Sequence, residues 1–392
     1  MGEQIGTPDA PVAVSPAPTL APAFDARLEW RSAVATHVDC LRVNANALQG
    51  DGRWLAAGTE ATGEGGSVRL EATPWLRPAA QAPVELARDG LRLPEDLRPG
   101  RFYPAFLFGR ALGRPRELGP VRLLGFAPDG RLRVDPNHPL AAQPVSLVLT
   151  PASGPAAPNL RLAELFLGPG LQLPPAEPQA CYFPAGALAR RDDAADIGFY
   201  AAPRLVQHLD ARCRKELRGL YGKLLQPGMR VLDLMASHDS HLPPGAFDVT
   251  GIGLNSEELA ANPRLAERVV QDLNACPQLP WADGRFDAVV CTASIEYLTQ
   301  PRAVLSELRR VLRPGGLVAV SFSDRWFPTK AIAVWSRLHE FERLGLVLHL
   351  LHHAGFTGLH TESRRGLPRP ADDKYAAERA SADPLFAAWG RS

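Results

Sequence analysis

The chain has 392 residues, 45% of them hydrophobic, with 43 basic and 42 acidic side chains and a formal net charge of +1. That length suggests two domains, and the near-neutral balance gives no global attraction to nucleic acid or to an anionic membrane. No apolar run approaches the length of a membrane span. The opening residues lack the basic-then-apolar pattern of a secretory signal. Cys40, Cys181, Cys213, Cys276 and Cys291 are scattered and form no CxxC. The expected setting is therefore a reducing cytoplasm, with no disulfide framework and no zinc site.

Residues 1–23 are rich in proline and alanine without periodicity and are expected to be a disordered tail. Residues 24–155 carry strand signals at Leu28-Glu-Trp, Ser67-Val-Arg-Leu-Glu-Ala, Arg101-Phe-Tyr-Pro-Ala-Phe-Leu-Phe, Pro120-Val-Arg-Leu-Leu-Gly-Phe and Val145-Ser-Leu-Val-Leu-Thr. Turn pairs such as Asp129-Gly130 and Pro136-Asn137 separate them, and helix signals are few. This predicts a small, mostly β domain. Residues 156–195, broken by Gly168-Pro-Gly and Pro174-Pro, read as a linker. A helical pattern of leucines then runs from Phe199 to Leu225. A helix there would cover the mouth of the following sheet. Tyr200 and His208 would reach that mouth, or His208 would sit on the helix surface.

The turn Asp135-Pro-Asn-His-Pro-Leu-Ala-Ala142, between two strand signals, resembles the closing segment of SlyD-like FKBP-type prolyl isomerases. Leu97-Arg-Pro-Gly-Arg-Phe resembles the segment by which that barrel is re-entered. The resemblance spans about fifty residues and implies an isomerase-like module. It makes Asn137 and His138 part of an isomerase site, against the alternative of a turn that satisfies its own backbone groups.

From residue 196 onward, apolar runs alternate with helical patterns, which reads as an α/β unit with a parallel sheet. Ligands in such sheets bind outside the carboxyl ends of the strands. Three segments fall in order: Arg230-Val-Leu-Asp-Leu; Gln278-Leu-Pro-Trp-Ala-Asp-Gly-Arg-Phe-Asp-Ala-Val-Val-Cys-Thr; and Ser306-Glu-Leu-Arg-Arg-Val-Leu-Arg-Pro-Gly-Gly-Leu-Val-Ala-Val-Ser-Phe. Together they resemble class I S-adenosylmethionine-dependent methyltransferases of type 11. The resemblance implies a Rossmann-like fold with a seven-stranded, mostly parallel sheet, and S-adenosyl-L-methionine as cofactor. It covers residues 227–392. Arg325-Trp-Phe-Pro-Thr-Lys-Ala-Ile-Ala-Val-Trp-Ser-Arg reads as an amphipathic helix over the pocket, and Asp383-Pro-Leu-Phe-Ala-Ala-Trp-Gly-Arg as the final antiparallel strand.

The departures from the family pattern are specific. Its Gly-x-Gly-x-Gly loop is replaced by Met235-Ala-Ser-His-Asp-Ser-His241, and the acid after the second strand by Gly253. Asp233 and Asp272 are kept. Two readings fit. In one, the cofactor binds through a variant loop: small Ala236 and Ser237 allow close approach, Asn255 or Glu257 replaces the ribose acid, and Asp272 holds adenine. The resemblance adds Asp233, Leu273 and Thr292 to the cofactor contacts. In the other, the fold is a non-catalytic scaffold in a binding or chaperone-like protein. Glu296 and Tyr297, after the fourth strand, are candidates for orienting the acceptor or taking its proton. Alternatively, Glu296 caps the turn while its neighbours pack. His238, Asp239 and His241 have partial metal-ligand spacing, but capping of a following helix fits them better.

The expected function is methyl transfer from S-adenosylmethionine to a small-molecule or protein acceptor, beside a prolyl isomerase-like module.

Overall fold

The computed structural model describes residues 23–45, 66–72, 81–91, 93–94, 97–109, 111–113, 119–158, 160, 164–165 and 182–392. Residues 1–22 of the expected tail and half of the expected linker lie outside these residues.

The carboxyl-terminal half is built on seven strands. They are β9 (Arg230–Leu234), β10 (Asp248–Gly253), β11 (Glu267–Val270), β12 (Phe286–Thr292), β13 (Leu312–Phe322), β14 (Thr357–Arg365) and β15 (Leu385–Arg391). Of these, β9, β10, β12, β13 and β15 are largely buried, while β11 and β14 are partly exposed. The seven lie in the order β11-β10-β9-β12-β13-β15-β14. The first five run parallel, and β15 is antiparallel to both β13 and β14. Order reverses between β9 and β12, and that switch point opens a crevice at the strands' carboxyl ends.

Seven strands are expected from the sequence, but the sheet has eleven. Beyond β14 it continues through β2 (Ala35–Asn44), β1 (Ala23–Arg31), β8 (Val145–Ala152) and β3 (Val68–Glu71). Strand β2 pairs in parallel with β14, from Leu359 opposite Ala35 to Arg365 opposite Leu41. Four strands of the expected small, mostly β domain are thus an extension of the same sheet. The remainder is a four-stranded antiparallel sheet, β4 (Val84–Leu86), β7 (Leu132–Asp135), β6 (Pro120–Phe126) and β5 (Phe102–Pro104), in that order.

Strand β2 has no apolar alternation to betray it. Its inward face is Ala35, His37, Asp39, Leu41 and Val43. His37 and Asp39 are fully buried, and their partners come from β14. The Nδ1 of His37 lies 2.8 Å from Thr361 Oγ1. Asp39 accepts from the Ser363 hydroxyl and, at 2.7 Å, from the Arg365 guanidinium. Burial lowers the His37 pKa to about 4, so the imidazole is a neutral hydrogen-bonding spacer.

A second junction joins the small sheet to the carboxyl-terminal half. Arg101 donates two hydrogen bonds, of 2.7 and 2.9 Å, to Glu342 on α6 (Glu340–His353). Both side chains are buried, so each charge needs the other. Phe102 meets Phe341 edge-on beside them, with ring centroids 5.0 Å apart.

Helices cover both faces of the parallel strands. The helix expected from Phe199 begins only at α2 (Ala211–Leu224), where Asp210 caps it by accepting from the Cys213 amide at 2.8 Å. Pro203 lies in the segment upstream, where α1 (Asp196–Phe199) makes a single turn and the chain then runs irregularly to Asp210. The expected amphipathic helix from Arg325 is also shortened, to α5 (Ala333–Arg337). Helix α4 (Pro301–Val311) starts with proline in its first turn and buries Val304, Leu305, Leu308 and Val311 against the sheet.

Candidate functional site

Two adjoining cavities open at the carboxyl ends of β9, β10 and β12. The first, about 820 Å³, is lined by Ile252, Gly253, Asn255, Glu258, Asp272 and Leu273 among others. The second, about 850 Å³, takes in Gln207, Asp233, Asp239, His241, Thr292 and Trp326. Met235, Ala236, Ser237, Ala293, Ser294, Tyr297 and Phe327 border both. The chain before α2 closes the first cavity from above. There the Arg204 guanidinium stacks over Phe199 at 4.5 Å, Tyr200 at 5.3 Å and Phe327 at 5.5 Å.

Among the described residues, three that are not glycine have positive φ: Met235 at 57°, His241 at 54° and Ala293 at 47°. All three line the second cavity. Left-handed non-glycine residues cost about 1–3 kcal/mol each and persist where the surroundings hold them, typically at functional sites. Residues 235–247 form no helix. The expectation that His238, Asp239 and His241 cap a following helix therefore fails. The connection from β9 to β10 is a polar loop folded over the strand ends.

Gly253 shows why the acid after the second strand is absent. A Cβ there would lie 2.3 Å from the Ala236 carbonyl oxygen. The polar loop has moved into the space a side chain would need. The carboxylate that lines the first cavity is that of Glu258 on α3 (Ser256–Ala261), whereas the expected Glu257 is not among the lining residues. Glu258 accepts from the Ser237 hydroxyl at 2.6 Å and from the Arg204 amide at 2.7 Å.

Asn255 lines the first cavity, but its side chain is occupied. It caps α3 by accepting from Glu257 and Glu258 amides and donates to the Tyr200 and Ala201 carbonyls at 2.9 and 3.1 Å. Asp272 Oδ1 accepts from the Asn274 and Ala275 amides, and its Oδ2 has no hydrogen bond among the described residues. Leu273 is buried behind it.

Asp233 is 4% exposed, and its Oδ2 has no partner. Burial pushes its pKa up to about 7, opposed by a hydrogen bond from Ser240. Its Oδ2 is a buried oxygen beside the second cavity with no hydrogen-bond partner among the described residues. Thr292 also faces this cavity, its hydroxyl 2.6 Å from Tyr221 Oη.

The two expected catalytic residues part ways. Tyr297 lines both cavities and accepts the Phe327 amide at 2.9 Å through its hydroxyl. Burial holds its pKa far above the ordinary value, which makes it a wall and a brace. Glu296 is corrected: it lines neither cavity, is fully buried, and neither carboxylate oxygen has a hydrogen-bond partner. Burial pushes its pKa up to about 8, so it is protonated at neutral pH.

On the far side of the molecule, Asn137 bonds the Gln81 backbone at both its amide and carbonyl and also donates to Asp135. His138 Nδ1 accepts from the Leu140 amide. The turn satisfies its own neighbours.

Residues 236–320 match the Methyltransf_11 family model, a methyltransferase domain. The chain is 35% identical over 112 residues to the demethylmenaquinone methyltransferase of Beutenbergia cavernae, covering 27% of this chain and 47% of that protein. It is 30% identical over 124 residues to the ubiquinone/menaquinone biosynthesis C-methyltransferase UbiE of Cupriavidus taiwanensis, covering 29% and 51%. The chain thus spans about half the length of these curated relatives. Among solved structures, an S-adenosylmethionine-dependent methyltransferase from Mesorhizobium loti is 18% identical with a TM-score of 0.31, over 44% of this chain and 96% of that one. The domain match and the relatives support a class I methyltransferase unit with S-adenosylmethionine as its cofactor. Among the described residues, no helix is long and apolar enough to cross a membrane.

Proposed function

We propose that this protein transfers a methyl group from S-adenosylmethionine to a small ring-containing acceptor. The observation that carries this is the pair of cavities sharing one polar wall at the sheet's switch point. One side offers acceptors for an adenosine, and the other a buried carboxylate oxygen without a donor. Asp272 Oδ2 suits the adenine amino group, Glu258 a ribose hydroxyl and Asp233 an ammonium. Ala236 and Ser237 supply the close backbone wall, and Leu273 an apolar bed.

When bound, the cofactor supplies an activated methyl group. The protein's part is to position the acceptor and keep water out, which is what such transfers chiefly require. Trp326, Phe327 and Tyr297 give the second cavity flat apolar walls, which fit a ring. The relatives' names point to quinone-like rings. Cys40, Cys213, Cys276 and Cys291 are free thiols, which supports a cytoplasmic setting. Nothing in the Asn137–His138 turn adds support for isomerase activity.

Calorimetry with S-adenosylhomocysteine tests the proposal. A micromolar dissociation constant is expected. Absence of heat at millimolar ligand would overturn it in favour of a non-catalytic scaffold.

A further inference from the structure

The polar loop that replaces the glycine loop holds a histidine–carboxylate pair that cofactor binding does not call for. We propose that His241, oriented by Asp239, is the proton acceptor for a methyl acceptor bearing an aromatic or enolic hydroxyl in the second cavity. This rests on the methyl-transfer function proposed above and narrows its acceptor.

Four observations carry it. The Nδ1 of His241 lies 3.1 Å from Asp239 Oδ2, angled off a hydrogen-bond direction but close enough for a ring rotation to make one. Asp239 Oδ1 accepts the His241 backbone amide at 2.8 Å, and Gln207 donates to Oδ2 at 3.2 Å. The carboxylate is thus fixed by two hydrogen bonds, and its contacts with His241 hold it well below its ordinary pKa. The backbone of His241 is left-handed, a strained conformation kept at the cavity wall. Finally, a carboxylate at Nδ1 sets the tautomer that leaves Nε2 free to take a proton.

The other charged and titratable groups of the cavity are engaged differently. Asp233 stands at the end of β9. His238 contacts Ser237 and Gln207 through its ring nitrogens. His208 packs edge-on against Phe327 at 5.4 Å. Neither histidine has a carboxylate within ion-pair distance among the described residues. Arg325 lies 3.6 Å from Asp383 and stacks over Tyr375.

The chemistry balances. As the acceptor forms its bond to the methyl carbon, the sulfur–carbon bond breaks and leaves its electron pair on sulfur. The hydroxyl proton passes to His241 Nε2, Asp239 offsets the imidazolium charge, and the proton then leaves to water. General bases so placed typically contribute 10²–10⁴-fold.

The test uses the full chain saturated with S-adenosylhomocysteine and 4-nitrocatechol as probe, because its ionised form absorbs visibly. About one pH unit below the probe's own pKa, the bound probe should be ionised in the wild type, by about tenfold over free probe. His241→Asn, a residue that tolerates left-handed backbone, should leave it neutral. His241→Gly should do the same and recover the ionised spectrum on adding imidazole, which a merely structural role would not produce. An unchanged spectrum in both variants, or no ionised probe at saturating wild-type protein, would overturn the inference while leaving the methyl-transfer proposal standing. Loss of S-adenosylhomocysteine binding by the wild type would instead overturn both.

Discussion

The two walls of the first cavity have different histories written in their packing. The wall at 271–274 follows the pattern of methyltransferases, with Asp272 braced by backbone amides and one oxygen left over. The opposite wall, 235–241 with 253–258, does not. There a loop without glycine presses its Ala236 carbonyl into the place of a missing side chain, and Glu258 supplies charge from the next helix. The lesson is that a carboxylate can reach a cavity from a neighbouring helix when backbone fills the strand-end position. Once a backbone segment fills the old position, the carboxylate must come from an element still able to reach the cavity.

Restoring the family acid should break the departed wall most severely. Gly253→Asp forces a side chain onto the Ala236 carbonyl and buries a charge without a partner. A loss on the order of 3–5 kcal/mol is expected, read as a fall in urea midpoint with no gain in S-adenosylhomocysteine affinity.

Glu296, behind the kept wall, gives a pH test. Its folded pKa of about 8 exceeds the unfolded value, so the native state binds the extra proton. Stability is therefore full below about pH 4.5 and falls as pH rises toward 8. Glu296→Gln should remove that slope, matching the wild type at pH 4 and exceeding it by about 2–4 kcal/mol at pH 9. A variant that is less stable at pH 9 would mean that the carboxylate has a charged partner.

Asp272→Ala sharpens the comparison from the other side. It should weaken S-adenosylhomocysteine binding about 10–100-fold, the worth of a hydrogen bond to a charged group. Equal affinity would mean that adenine lies elsewhere. The smallest effect is expected at Asn255. Asn255→Ala removes a helix cap and should cost about 1 kcal/mol of stability, seen as a lowered unfolding midpoint. If binding fell more than at Asp272, Asn255 would be a ligand contact after all.

Much of the parallel sheet was legible because several of its strands are apolar runs, although Leu312-Arg-Pro-Gly-Gly, expected as a turn before the strand, forms the first part of β13. Asp233, Ala236, Asp272 and Tyr297, singled out by their position after such runs, line the cavities. Strand β2 was not legible, because His37 and Asp39 sit where apolar residues would signal an inward face. Their partners, Thr361, Ser363 and Arg365, lie more than three hundred residues away. The same reason hid the continuity of the sheet. Glu296 was misplaced because spacing cannot tell a rim carboxylate from one turned under the rim. The shift from Glu257 to Glu258 depends on helix phase, and that phase is set by the Asn255 cap.

The parallel pairing of β2 with β14 also constrains how the chain is made. The β1–β2 hairpin is synthesised more than three hundred residues before its partner Thr357–Arg365. At about 5–20 residues per second, the hairpin waits roughly 15–60 s for its partner. Through that interval β2 presents an unpaired edge, with its buried-face His37 and Asp39 still wet. Such polar residues are poor seeds for edge-to-edge aggregation. The composition that hid the strand is thus also one that disfavours edge-to-edge pairing while its neighbour is still to come.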